Sequence, residues 1–235
     1  TPLEKRIGIG VREDQYCGAP QVRRSVKDYD LDLLRVGWFS NWSFWPEWLL
    51  NKHRLPYGLD YVHLIQVGDF KWPPNWINVE MALLYNPGMV WIIGNEPEDQ
   101  SNNTPEMYAE RYHQVYNFIK HHDPTAKVAI GGVVEPTPLR LIWLERALGA
   151  YQYIYGEPMP IDIWYIHVQI LNEIRDTPWP IPVGLEPELI RQQARNYSLY
   201  DNAGLGPFIQ LVIEFRQWMA ENGQRNKPLI ITEYG

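Results

Sequence analysis

The chain has 235 residues, 45% of them hydrophobic, and a formal net charge of −7. That apolar content suffices for a sizeable core, and the acidic balance excludes a nucleic-acid binder, whose phosphates call for clustered Lys and Arg. No apolar run reaches the length of about 18 residues that a membrane span needs, and the single cysteine, Cys17, excludes an intramolecular disulfide.

In chain order, residues 6–11 (Arg-Ile-Gly-Ile-Gly-Val) predict a first strand, and residues 22–33 a weak helix. A second strand is expected over 34–39, running into Ser40-Asn41-Trp42-Ser43-Phe44-Trp45-Pro46. A third covers 59–67 and ends at Gly68-Asp69-Phe70. A short helix over 76–84 precedes a fourth strand at 90–93. Thr104-Pro105-Glu106 then opens the clearest helix, with Thr as N-cap, Pro in the first turn and Glu at the positive end of the dipole. Tyr108, Tyr112, Val115 and Ile119 recur at helical spacing and predict its buried face. His121 and His122, ahead of Asp123-Pro124, read as cationic side chains at a helix C-terminus rather than as metal ligands.

A fifth strand is expected at 127–132, a long helix at 139–155 and a sixth strand at 161–169. Beyond a Pro-rich loop, helices over 187–199 and 207–222 lead to a seventh strand at 227–235. These strands are continuous apolar runs, the mark of parallel strands buried on both faces. No linker, repeat or low-complexity tract interrupts them. The expectation is one domain over residues 1–235, an α/β TIM-like (β/α)8 barrel lacking its eighth βα unit in this chain. An open dinucleotide-binding sheet is disfavoured, because Gly8-Ile9-Gly10 lacks the third glycine of that fingerprint and is followed by polar loop.

In such a barrel the chemistry lies at the carboxyl ends of the strands. The first strand offers Arg12, Glu13 and Asp14, the second Asn41, Trp42 and Trp45, the third Asp69. The fourth offers Asn95 and Glu96, the fifth Glu135, the sixth His167 and Gln169, the seventh Glu233 and Tyr234. Carboxylates, amides and aromatics in one mouth are costly in a core but suited to gripping a polyol. The 11 Trp and 15 Tyr exceed what packing alone accounts for, and flat rings stack on the C–H faces of sugars. Glu96 and Glu233 each end a strongly apolar strand, on opposite walls of the mouth. Two carboxyl groups about 5–5.5 Å apart are what cleavage of a glycosidic bond with retention requires. Arg35, Tyr234 and His167 are candidate donors to the ionised member, although Arg35 at the start of its strand also suits an internal ion pair.

Gly94-Asn95-Glu96-Pro97 on strand four and Ile231-Thr232-Glu233-Tyr234-Gly235 on strand seven resemble the signature of the retaining glycosidases of clan A, built on (β/α)8 barrels. Phe39-Ser40-Asn41-Trp42 and Tyr165-Ile166-His167 narrow the resemblance to the small β-1,3-glucanase type. The resemblance implies Glu96 as general acid/base, Glu233 as nucleophile and Asn95 as the ligand of the sugar's 2-hydroxyl. It further implies His167, Asn41, Trp42 and Tyr234 as substrate-binding residues, with no cofactor and no metal. Members of the clan often carry a supporting aromatic on strand six, where this chain has Gln169. The implied activity is hydrolysis of a β-linked poly- or oligosaccharide. The alternative is a carbohydrate-binding barrel that no longer turns over, motivated by the missing eighth unit. The expected location is secreted or cell-surface rather than cytoplasmic, although no signal peptide is visible ahead of Thr1.

Overall fold

The computed structural model describes residues 6–11, 26, 29–44, 59–99, 101–173 and 181–234. Seven parallel strands follow one another around a sheet in sequence order: β1 Gly8–Gly10, β2 Trp38–Ser40, β3 Asp60–Ile65, β4 Val90–Asn95, β5 Lys127–Gly132, β6 Trp164–Val168 and β7 Leu229–Tyr234. β1 to β5 pair continuously, and β6 pairs with β7. β5 joins β6 through bridges at Ala129–Ile163 and Val133–Ile166, with His167 N–H donating to Val133 O at 2.9 Å. The helices are α1 Leu31–Leu34, α2 Trp76–Tyr85, α3 Pro105–His122, α4 Pro138–Tyr155, α5 Pro187–Gln193, α6 Leu199–Asn202 and α7 Leu205–Glu221. The expected (β/α) barrel is therefore the observed architecture, and among the described residues it is open between β1 and β7.

Strand alternation sorts the side chains into two layers. Val62, Leu64, Ile92, Ala129, Ile163 and Tyr165 fill the interior, with Trp38, Trp42 and Ile230 packed on them. Trp91, Ile93, Val128, Ile130, Trp164 and Ile166 point outward against α3, α4 and α7. Both faces of the central strands are thus dry, which explains why their sequences run apolar without alternating. The glycines of β1 serve the interior. A Cβ on Gly8 would collide with the Trp38 indole, and one on Gly10 with that of Trp42. These two glycines, which fall short of a nucleotide fingerprint, make room for two tryptophans inside the barrel.

The α3 reading holds in detail. Thr104 Oγ1 accepts from Met107 N–H at 3.3 Å, and Tyr108, Tyr112, Val115 and Ile119 are fully buried. α4 is built alike, with Thr137 as N-cap, Pro138 in the first turn and Gly156 closing it at φ +75°. Two boundaries lie well away from expectation. β2 starts at Trp38 because Leu34 ends α1 and Arg35 caps that helix in the left-handed region, φ +51°. Arg35 is exposed there, at the amino end of β2, so it is neither an internal ion pair nor a donor to the mouth. The helix expected over 187–199 ends at Gln193. Of the helix expected over 22–33, residues 31–33 are the ones described as α-helical. Arg12, Glu13, Asp14, Cys17 and Trp45 lie outside the described residues.

Candidate active site

β4 delivers Asn95 and Glu96 through a break in its own alternation. Gly94 adopts φ +93° and Glu96 φ +43°. A glutamate in the left-handed region is held there by its surroundings. Glu96 N–H donates to Gly132 O at 2.9 Å, while Glu96 O accepts from the N–H groups of Asp99 and Ser101. The Ser101 hydroxyl donates to Asn95 O at 2.9 Å. Glu96 is 4% exposed and Asn95 5%. The side-chain oxygen of Asn95 is buried without a hydrogen-bond partner. A ligand hydroxyl is the kind of group that would satisfy it.

β7 delivers Glu233 through a different irregularity. Ile230 and Thr232 face inward, and Leu229 and Ile231 outward. Simple alternation would send Glu233 to the helix layer. Between Ile166/Ile231 and Val168/Tyr234, β7 carries one residue more than β6. Such a bulge re-aims the side chains around it, and Glu233 turns back into the mouth. Its Oε1 accepts from Trp42 Nε1–H at 2.5 Å and its Oε2 from Gln169 Nε2–H at 3.2 Å.

His167 joins the two walls. Its Nδ1 lies 2.8 Å from Glu96 Oε1 and its Nε2 lies 3.4 Å from Glu233 Oε1. The Tyr165 hydroxyl is 2.6 Å from Nε2 and accepts from Thr232 Oγ1–H at 2.9 Å. One proton order satisfies the three shorter contacts: Thr232 donates to Tyr165, Tyr165 to Nε2, and Nδ1–H to Glu96; in that order Nε2 has no proton for Glu233. Burial holds the Tyr165 phenol far above its ordinary range, so it stays a donor. Its ring lies against Gly132, where a side chain would collide with it.

A carboxylate oxygen of Glu96 and one of Glu233 lie within 4.8 Å of each other and of a His167 nitrogen. That spacing would also suit a cation. The donor atoms are already engaged, however: Nδ1 by Glu96, Nε2 by Tyr165, and Glu233 Oε1 by Trp42. What the geometry offers is two carboxyl groups close together at the carboxyl ends of β4 and β7, one buried and one accepting from two N–H donors.

Glu96, Asn95, His167, Trp42 and Glu233 are therefore brought together. Tyr234 is 74% exposed and lines, with Trp42 and Thr232, a cavity of about 250 Å³ beside β1 and β7. Asn41 sits at the strand end, where its Oδ1 accepts from Tyr61 OH and from Ser43 N–H. Asp69 pairs with Arg111 at 2.7 Å on an exposed edge. Glu135 is buried near Arg140 and accepts from Leu171 N–H. The sequence reading placed Gln169 at the mouth with His167 but named no task there for it or for Tyr165. Their spacing with His167, at alternate positions of one strand, is the signal that puts all three on one face.

Open barrel topology with two glutamates converging from strands four and seven defines a class: (β/α) barrels with a two-carboxylate mouth. No protein-family model matches the sequence, and no curated protein is significantly similar to it. Among solved structures, the chain is similar to an endo-β-1,3-glucanase of GH128 subgroup II from Sorangium cellulosum. The TM-score is 0.50 at 16% identity, over 85% of this chain and 67% of that one. It is also similar to a curdlan-specific exo-β-1,3-glucanase of GH128 subgroup III from Blastomyces gilchristii, solved with glucose (TM-score 0.45, 20% identity, 57% of this chain). The chain spans about half the length of that second enzyme, 52%. The resemblance to the β-1,3-glucanase type of barrel thus holds at the level of fold.

Proposed function

We propose that this chain carries the active site of a retaining glycoside hydrolase acting on a β-linked glucan, within a single barrel domain. One observation carries the reading: an oxygen of Glu96 and one of Glu233 lie within 4.8 Å of each other, close enough for the two carboxyl groups to act on one anomeric carbon, as double displacement with its spacing of about 5–5.5 Å requires. Glu233 is the nucleophile. Trp42 and Gln169 donate to its two oxygens and so orient the carboxyl group that must attack the anomeric carbon. Glu96 protonates the departing oxygen and then takes a proton from the incoming water. Asn95, with its unsatisfied oxygen, holds a sugar hydroxyl, and His167, backed by Tyr165, holds the Glu96 carboxyl by its Nδ1–H. Asn41, Trp42 and Tyr234 are the proposed borders of the sugar site. The Sorangium enzyme is named for endo cleavage of β-1,3-glucan, so that polymer is the first substrate to test. No described helix is long and apolar enough to cross a membrane, and a polymeric glucan substrate suits a secreted or cell-surface location.

The experiment is a hydrolysis screen over β-1,3-, β-1,4- and mixed-linkage glucans, with the product anomer read by NMR. The expected result is a retained β-anomer from one linkage class. In Glu233→Ala, turnover is expected to fall about 10⁴-fold or more, while calorimetry still detects sugar binding. Undiminished turnover in that variant overturns the assignment. Binding without turnover by the unaltered protein would favour the idle carbohydrate-binding barrel instead.

A further inference from the structure

Arg140 lies in the first turn of α4 and is 2% exposed. Three carboxylates face it from three different loops. Glu98, from the loop after β4, accepts from its Nε–H at 3.1 Å, and Glu135, after β5, approaches to 3.5 Å. Glu173, beyond β6, accepts from its terminal nitrogen, from the Thr137 hydroxyl and from Arg195 N–H. None of the three is more than 3% exposed. Three carboxylates against one guanidinium leave two excess negative charges in a place closed to water, an arrangement that protons relieve. Glu98 Oε2 and Glu135 Oε1 are moreover buried without hydrogen-bond partners.

Glu98 is two residues from Glu96, and it ties the loop down. Its Oε1 also accepts from Val134 N–H at 2.8 Å, joining the β4 loop to the β5 loop. Its backbone carbonyl accepts from Val183 N–H at 3.0 Å, joining a third segment. The left-handed backbone of Glu96 depends on such anchors. We propose that Glu98 is held as the neutral acid against Arg140, and that this pair is the positioning clamp for Glu96. The proposal rests on the reading of Glu96 as general acid/base.

The surrounding charges agree. Burial pushes the Glu98 carboxyl up to about 8, only partly offset by Arg140. Glu135 is raised to about 7 by burial, and Asp99, on the same loop, to about 6 by burial and the charge of Glu96. From the other elements, Tyr108 on α3 and Tyr197 stay neutral phenols, raised chiefly by burial. Arg195 is drawn toward Glu214 on α7, at 2.9 Å. When Glu98 ionises, it adds a second negative charge beside Glu96 and no cation arrives to meet it. Its folded pKa lies above its unfolded value near 4.5. Its contribution to stability is therefore complete below about pH 4.5 and lost as pH rises through about 8.

The test compares unaltered protein with Glu98→Gln and Glu98→Ala. Gln imitates the neutral acid and keeps the acceptor for Val134 and Arg140. Melting temperature is followed between about pH 5 and 9. The unaltered protein is expected to lose stability across that range more steeply than Glu98→Gln. On the glucan found in the screen, Glu98→Ala lowers kcat about tenfold or more with KM changed less than about twofold, and Glu98→Gln regains most of the loss. Parallel melting curves overturn the neutral-acid assignment. An undiminished kcat in Glu98→Ala overturns the clamp. If the unaltered protein cleaves no glycan, the Glu96 reading falls and the clamp with it. The melting curves then still decide, by themselves, whether Glu98 is neutral.

Discussion

The two walls of the mouth hold their carboxylates differently. On the β4 wall, the main chain of Glu96 is itself pinned, by the left-handed turn, the bond to Gly132 O and the loop bonds through Asp99 and Ser101, and its carboxyl takes one bond from His167. Its neighbourhood is dry, and the strand below it is covered on both faces. On the β7 wall, Glu233 is fixed by side chains donated from elsewhere, by Trp42 from the β2 loop and Gln169 from β6. It is 23% exposed, and β7 pairs only with β6 among the described residues. The difference matches the two proposed jobs. A group that trades a proton needs fixed placement against the leaving oxygen. A group that attacks and departs as an anion needs N–H donors more than it needs dryness.

The sharpest break of this comparison is Glu96→Gln. The carboxamide keeps the shape but cannot pass a proton. Glucan hydrolysis is expected to fall by about 10²–10⁴-fold. An aryl glycoside with an acidic phenol as leaving group needs no proton to depart, so it should still release a burst of phenol equal to the enzyme present, followed by slow turnover. Equal losses on both substrates, with no burst, would remove Glu96 from the acid role.

Trp42→Phe probes the other wall. A shorter aromatic ring remains, the indole edge that rests over Gly10 is lost, and the N–H to Glu233 is gone. Loss of one such donor is expected to lower kcat by roughly 10²-fold. If kcat is unaffected, Glu233 is held by Gln169 and the strand itself, and the β7 wall is less dependent on side chains than it looks.

The order of the strands was legible because β3, β4 and β5 are buried on both faces, which leaves uninterrupted apolar runs in Leu64–Ile65, Val90–Ile93 and Val128–Ile130. Glu96 and Glu233 were legible because each breaks such a run with a charge. Their surroundings were not. The alternation of Ile230 and Thr232 argues against an inward Glu233, and only the pairing of β7 with β6 supplies the extra residue that turns it. Gln169 lacks the aromatic ring expected there, yet its side-chain amide is long enough to donate to Glu233. Glu98, Glu135, Glu173 and Arg140 lie up to 75 residues apart, and nothing local marks them as one cluster. Contacts between distant loops leave no period to read.

The mildest test asks how far the dryness of the β4 wall extends. His63 on β3 is fully buried, stacked on Trp91 with ring centroids 4.1 Å apart, and its Nδ1 lies 2.9 Å from Phe44 O. Its Nε2 has no partner. Burial lowers its pKa to about 3, only partly opposed by the bond to Phe44. The folded protein thus keeps His63 neutral where the unfolded chain, at about 6.5, takes up a proton. Stability from this group is present above about pH 6.5 and lost as pH falls toward about 3. His63→Phe keeps the stacked ring but has no proton to gain. It forfeits the bond to Phe44 O at every pH, so it starts less stable at pH 7. From there to about pH 4.5 its melting temperature should fall by roughly 5 °C less than that of the unaltered protein. Curves that run parallel over this interval would mean that water reaches His63, and that the dry layer stops at β4.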